Sequence, residues 1–151
     1  MRPLRRILFP TDFSDYAEDA WPYATRFATD FAAELHLLHV VSPSPPLVYT
    51  EGMAYDPKDM EDTRVADART ALDRLVGTAK DLGLVVQSLV RTGIPFHEIL
   101  EYARSRDIDL IVMATHGRTG LAHALLGSVT EKIVRSAPCP VLTIRHPAMK
   151  T

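Results

Sequence analysis

Four residue types between Ala114 and Thr130 could do chemistry together: His116, Gly117, Gly127 and the hydroxyls of Ser128 and Thr130. They follow an apolar run, Ile108-Asp-Leu-Ile-Val-Met113, and precede an amphipathic segment, Glu131 to Ser136. A buried strand, a glycine loop and a hydroxyl-bearing helix start form a cradle for phosphate in α/β proteins. Glycine admits an anion close to the backbone, and the unpaired N–H groups of the helix start face it. The same residues also fit a plainer use. Glycines serve turns, and Ser128-Val-Thr-Glu131 has the spacing of a capping box that would occupy the serine hydroxyl. No lysine follows the second glycine, so this is not a P-loop, nor is it a GxGxxG turn.

Other reactive side chains give weaker signals. His116 and His123 flank the glycine loop and could exchange protons. His36 and His39 are three apart on an extended run, so they point to opposite faces and make a poor metal pair. His97 falls on a helix and His146 near the C-terminus. There is no Ser-His-Asp order and no HExxH, so no catalytic residue is assigned. Cys139, between Pro138 and Pro140, reads as a small buried hydrophobe rather than a redox thiol. Being the one cysteine, it excludes an internal disulfide and a cysteine-based zinc site.

The elements that must position these groups alternate along the chain. Strands are expected at Arg6–Phe9, Leu35–Val41, Leu84–Arg91, Asp109–Ala114 and Val141–Arg145. Helices are expected at Ser14–Ala33, Asp62–Leu82, Pro95–Ser105 and Gly127–Ser136. Helix one carries Ala17, Ala20, Ala24, Phe27, Ala28 and Phe31 near helical spacing, with Pro22 predicting a kink or a late start. Gly83 suits a helix C-cap. Residues 42–60, with Pro43, Pro45, Pro46 and Pro57, predict a connection without regular structure: a lid, a dimer arm or a strap. Its Leu47, Val48 and Tyr49 could dock on something.

Such βαβ order implies an α/β fold with a mostly parallel sheet covered on both faces. The 151 residues fit one domain over 1–151, and 46 % hydrophobic with 24 % charged residues is ordinary for a globular chain. A net charge of −2 gives no electrostatic footprint for nucleic acid. No run approaches the ~20 apolar residues of a membrane span, and Ile7-Leu-Phe is short for a signal segment. The expectation is a cytoplasmic protein with no nucleic-acid or membrane partner.

Four segments now combine: Arg6-Ile-Leu-Phe-Pro-Thr-Asp-Phe-Ser14, Leu35-His-Leu-Leu-His-Val-Val41, Gly117-x9-Gly127-Ser128 and Ala137-Pro-Cys-Pro-Val-Leu-Thr-Ile-Arg145. In this order and spacing the chain closely resembles the universal stress protein family over nearly its whole length. The family's nucleotide-binding members carry Gly-x2-Gly-x9-Gly-Ser/Thr. Here Gly117, Gly127 and Ser128 match, while Ala114 stands at the first glycine and adds a methyl where the nucleotide would pass.

The resemblance implies an open parallel five-stranded sheet of order 3-2-1-4-5, Rossmann-like and of the adenine nucleotide alpha hydrolase type. Strands one and four then flank a switch point, where such sheets bind ligands. It carries over an adenine and ribose site at Pro10, Thr11, Asp12 and Val40, although the residues alone favour Asp12 or Ser14 as the cap of helix one. Met113, Ala114, His116 and Gly117 would line ribose and phosphates, and Gly127, Ser128, Val129 and Thr130 would hold phosphates. The implied ligand is ATP, ADP or AMP, with Mg²⁺ or Mn²⁺ bound mainly through phosphate oxygens and water. A homodimer joined through edge strand Val141–Arg145 is implied as well, with other protein partners unidentified.

Three functions follow. The first is a regulatory nucleotide binder in stress response, without fast turnover because no base or activating lysine is evident. The second is a slow ATPase or a protein that phosphorylates itself on Ser128 or Thr130. The third is a structural dimer whose cleft Ala114 closes to nucleotide.

Overall fold

The computed structural model describes residues 2–43, 56–117 and 126–147. Five strands form one parallel sheet, in the order β3-β2-β1-β4-β5. These are β1 (Arg6–Pro10), β2 (Glu34–Val41), β3 (Val86–Thr92), β4 (Leu110–Ala114) and β5 (Val141–Ile144). The four helices are α1 (Asp15–Asp30), α2 (Pro57–Asp81), α3 (Pro95–Ser105) and α4 (Ser128–Ser136). The Rossmann-like order anticipated from sequence is the one observed.

The central strands are apolar on both faces because helices cover both. Along β4, Leu110, Val112 and Ala114 join one buried cluster while Ile111 and Met113 join the other. The first cluster lies under α1 and α2, the second under α3 and α4. Helix α1 approaches the sheet closely because its inner face is a row of alanines: Ala17, Ala20, Ala24 and Ala28 are all buried. Trp21 stands beside that row, edge-on to Phe9 of β1 with ring centroids 5.4 Å apart.

Three helices end on the same corner. After α2, the Gly83 N–H donates to the Lys80 carbonyl (2.8 Å) and the Leu84 N–H to Ala79 (3.1 Å), with Gly83 at φ +78°. This is the Schellman arrangement that Gly83 predicts. The corner recurs after α1, with Ala32 at φ +50°, and after α3, with Asp107 at φ +49°. Ala32 carries a Cβ into a conformation that suits glycine.

Several boundaries differ from the sequence reading. Helix α1 continues through Pro22 rather than starting after it. Helix α2 begins at Pro57, not Asp62, because Asp56 caps it by accepting the Lys58 N–H (2.9 Å) and Pro57 fits the first turn. The expected irregular segment 42–60 therefore loses its last four residues to a helix; Leu47, Val48 and Tyr49 lie outside the described residues. Strand β3 starts at Val86 because the α2 corner uses Leu84. Strand β5 ends at Ile144, one residue short of Arg145.

Candidate functional site

Strands β1 and β4 are neighbours, and the chain leaves them in opposite directions, β1 toward α1 on one face and β4 toward α4 on the other. A cleft of about 640 Å³ opens at their C-terminal ends. All twelve residues named from sequence line it: Pro10–Asp12, Val40, Met113, Ala114, His116, Gly117 and Gly127–Thr130. Residues a hundred positions apart meet there because parallel pairing brings the ends of β1 and β4 together.

The β1 loop combines anchors to β2 with local hydrogen bonds. The Thr11 N–H donates to the Leu38 carbonyl (2.9 Å), and Thr11 Oγ1 accepts the Phe13 N–H (3.0 Å). Asp12 Oδ1 accepts both the N–H (3.0 Å) and the hydroxyl (2.5 Å) of Ser14. Ser14 Oγ in turn accepts the Ala17 N–H (3.3 Å) and caps α1. Of the two capping candidates, Ser14 is the cap and Asp12 braces it. These bonds hold Phe13 at φ +60°, where a side chain is costly by about 1–3 kcal/mol.

The glycine loop is closed at its base. The Gly127 N–H donates to the Thr115 carbonyl (2.7 Å), and the Thr130 hydroxyl donates to Ala114 O (3.0 Å). Both donors are thereby committed to the loop, so Thr130, which is buried, serves here as a pin rather than as an exposed hydroxyl. Gly127 is the N-cap of α4 and makes no side-chain cap. The capping box expected for Ser128 and Glu131 is absent: Ser128 is already the first helical residue and is exposed, and Glu131 pairs with Arg135 at 2.9 Å. The N–H groups of Ser128, Val129 and Thr130 have no intrahelical acceptor, as at any helix start.

At both glycines an added side chain would make a close contact. A Cβ on Gly127 would sit 3.2 Å from the Thr115 carbonyl and 3.5 Å from His116 Cα, and backbone cannot yield easily. A Cβ on Gly117 would lie 2.5 Å from Asp12 Oδ2, so the carboxylate rests directly on the glycine loop. The Ala114 methyl, by contrast, belongs to the core cluster on the α1 side with Val112 and Leu110. Strand alternation takes it there.

The histidines separate as their spacing predicts. His36 turns into the α3 side, fully buried, with Nδ1 2.7 Å from the Tyr102 hydroxyl and Nε2 3.3 Å from Glu34. Burial lowers its pKa below 6.5, against the pull of Glu34. Burial likewise raises that of Tyr102. His39 lies in the cleft instead. His116 is buried at the cleft with Nδ1 3.0 Å from Thr115 Oγ1. His146 pairs with Asp19 of α1 and packs edge-on against Tyr16. His97 is exposed, and His123 lies outside the described residues. Burial pushes the Cys139 thiol up to about 11, which keeps it a protonated, packed side chain.

Sequence reasoning missed the cleft's other wall: Phe13 and His39, Arg64 and Asp67 of α2, and Pro95 and Ile99 of α3. Arg64 donates to the Ser42 carbonyl (2.9 Å). Nothing local marks α2 as a cleft wall, since its placement over the ends of β2 is a tertiary fact. Among the described residues no three His, Cys, Asp or Glu side chains converge to hold a metal ion. No described helix is long and apolar enough to cross a membrane.

Comparison with known proteins agrees with this architecture. The model of the universal stress protein family matches residues 3–145. Universal stress protein MJ0531 of Methanocaldococcus jannaschii is 34% identical over 143 residues, covering 95% of this chain and 83% of that one. MJ0577 of the same organism is 31% identical over 154 residues, covering 94% and 95%. The solved structure of UspA from Lactobacillus plantarum superposes with a TM-score of 0.84 at 29% identity, covering 96% of this chain and all of that one (100%). Two more distant structures share the fold. One is a universal stress protein in complex with cAMP (TM-score 0.67, 24% identity, covering 95% of this chain and 98% of that one). The other is an Arabidopsis thaliana protein with AMP bound (TM-score 0.63, 21% identity, covering 97% and 95%). With a family model spanning nearly its whole length and relatives above 30% identity, the chain belongs to the universal stress protein family.

Proposed function

We propose that this chain binds an adenine nucleotide in the cleft between the ends of β1 and β4, and acts as a regulatory binder in stress response. The single observation that carries the reading is the pair of glycines whose missing side chains keep the cradle open, Gly117 against Asp12 and Gly127 against the Thr115–His116 backbone. Nucleotide-bound relatives of the same fold, one with AMP and one with cAMP, support it.

Asp12 supplies an acceptor-only carboxylate suited to ribose hydroxyls or an amino group. Thr11 and Val40 flank it. The first-turn N–H groups of α4, with the exposed Ser128 hydroxyl, suit phosphate oxygens. Mg²⁺ or Mn²⁺ would be held by those oxygens and water. Ala114 lines the cleft while packing in the α1-side core. Fast turnover is not expected, since among the described residues lining the cleft there is no lysine to activate a phosphate. The chain would work as a cytoplasmic homodimer through β5. That strand pairs with β4 on one edge, and its four residues are half-buried.

The test is to denature the purified protein and identify released nucleotide by chromatography and mass spectrometry, then titrate nucleotide-free protein with ATP, ADP, AMP and cAMP with and without Mg²⁺. Nucleotide near one per chain, or saturable binding of any of the four, is the expected result. An empty protein that takes up none of them overturns the reading and leaves a structural dimer. Phosphate release above a blank that disappears in Ser128→Ala would replace the binder with a slow ATPase.

A further inference from the structure

The His39 side chain, from β2, holds the loop that carries Asp12. His39 Nδ1 lies 2.7 Å from the Thr11 carbonyl oxygen. A carbonyl can only accept, so Nδ1 carries the proton and donates. The same ring stacks on Phe13, centroids 4.6 Å apart and planes inclined 28°. His39 therefore grips the residues on both sides of Asp12, one by a hydrogen bond and the other by its face. The grip acts where the backbone is strained, since Phe13 sits at φ +60°. Thr11 is buried, so water is a poor substitute for the imidazole at its carbonyl.

We infer that His39 is a positioning residue for nucleotide binding: it fixes the β1 loop so that the Asp12 carboxylate stays against Gly117 and faces the cleft. This rests on the nucleotide-binding reading above. Phe13, with Thr11, Ala17 and Ala71, also lines a neighbouring groove between α1 and α2.

Two variants separate the two halves of the grip. His39→Phe keeps a ring for the stack and removes the donor. His39→Asn places an amide N–H near the position of Nδ1 and removes the ring. Calorimetric titration with ATP is expected to show His39→Phe at least about tenfold weaker than wild type and His39→Asn within about threefold. In a cycle with Asp12→Ala, adding His39→Phe should cost no further affinity, because His39 acts through Asp12. A His39→Phe protein that melts earlier yet binds ATP as wild type does overturns the inference, as do losses that add in the double variant. Nitrogen-15 NMR of the imidazole in the free protein supplies a readout independent of any ligand. A proton on Nδ1 is expected, and the Nε2–H tautomer alone would overturn the assignment. Failure of wild type to bind any adenine nucleotide sinks the functional reading, and the NMR result then decides the His39–Thr11 contact by itself.

Discussion

Replacing Gly117 with alanine should cripple nucleotide binding while leaving the fold intact. A Cβ built on Gly117 stands 2.5 Å from Asp12 Oδ2, where ordinary contact begins at 3.4 Å, so one of the two groups must move by about 0.9 Å. The neighbouring oxygen, Oδ1, is fixed by the N–H and hydroxyl of Ser14, so the carboxylate cannot slide without loosening bonds at the α1 cap. Gly117 is not in the left-handed region, so the cost is steric alone. Overpacking of this kind costs about 1–3 kcal/mol. Taking about 1.5 kcal/mol, the melting temperature should fall by roughly 3–6 °C for a domain of this size. Affinity for ATP should fall about tenfold or more, since 1.4 kcal/mol is a factor of ten and the displaced carboxylate is a binding group. Thermal unfolding and calorimetric titration measure both. The control is Asp12→Ala, which removes the atom that clashes. In that background Gly117→Ala should cost nothing further. Unchanged melting and affinity in Gly117→Ala, or a cost that persists without Asp12, would refute the reasoning.

Four further outcomes are expected. Ala114→Gly should lower stability by about 1 kcal/mol, through a lost buried methyl and a freer strand, and change nucleotide affinity by less than about threefold; a large gain in calorimetric affinity would contradict the placement of its methyl. Ala32→Gly should raise the melting temperature by about 1–4 °C, because it relieves a left-handed alanine at the α1 corner, with the gain reduced by glycine's looser unfolded chain. The His36 pKa lies below its unfolded value of 6.5, so the native state binds fewer protons than the unfolded one in that range. Stability should therefore decline as pH drops below 6.5 toward the lowered native value, and urea titrations of His36→Leu should show a shallower acid slope. At pH 8 the Cys139 thiol, held up near 11, should react with an aromatic disulfide reagent at least about tenfold more slowly than in the protein unfolded by denaturant.

The amino-acid pattern exposes the alternating strands and helices through local signals, whereas the sheet order and the twelve cleft residues are legible only through the family resemblance that the four segments carry. β4 is apolar throughout, the glycine spacing is intact, and Gly83 sits where a helix must stop. What it hides is tertiary. The start of α2 is a partial exception, since Asp56-Pro57 is a readable cap that the neighbouring prolines obscure. The Ser128-Val-Thr-Glu131 box looks like a cap in isolation, yet the loop closure through Gly127 and Thr130 makes Ser128 helical and leaves the box unformed. His39 reads only as a strand histidine facing away from His36. Its grip on Thr11 and Phe13 depends on the β1–β2 register and on a left-handed phenylalanine, neither of which is written in spacing. Thr130 illustrates the same limit, since a hydroxyl one turn into a helix looks available until its partner, the Ala114 carbonyl, is known.

Trp21, edge-on to Phe9, gives the chain its own optical reporter. It is the only tryptophan, so excitation near the red edge of protein absorption interrogates one place in the molecule. That place lies in the groove that shares Thr11, Phe13 and Ala17 with the cleft. Emission from Trp21 therefore follows the packing of α1 on β1 directly behind the Asp12 loop, and changes in its intensity or wavelength can be timed by rapid mixing without a dye. The kinetics of ligand arrival, and the order in which the loop and the helix respond, become measurable on the unlabelled protein.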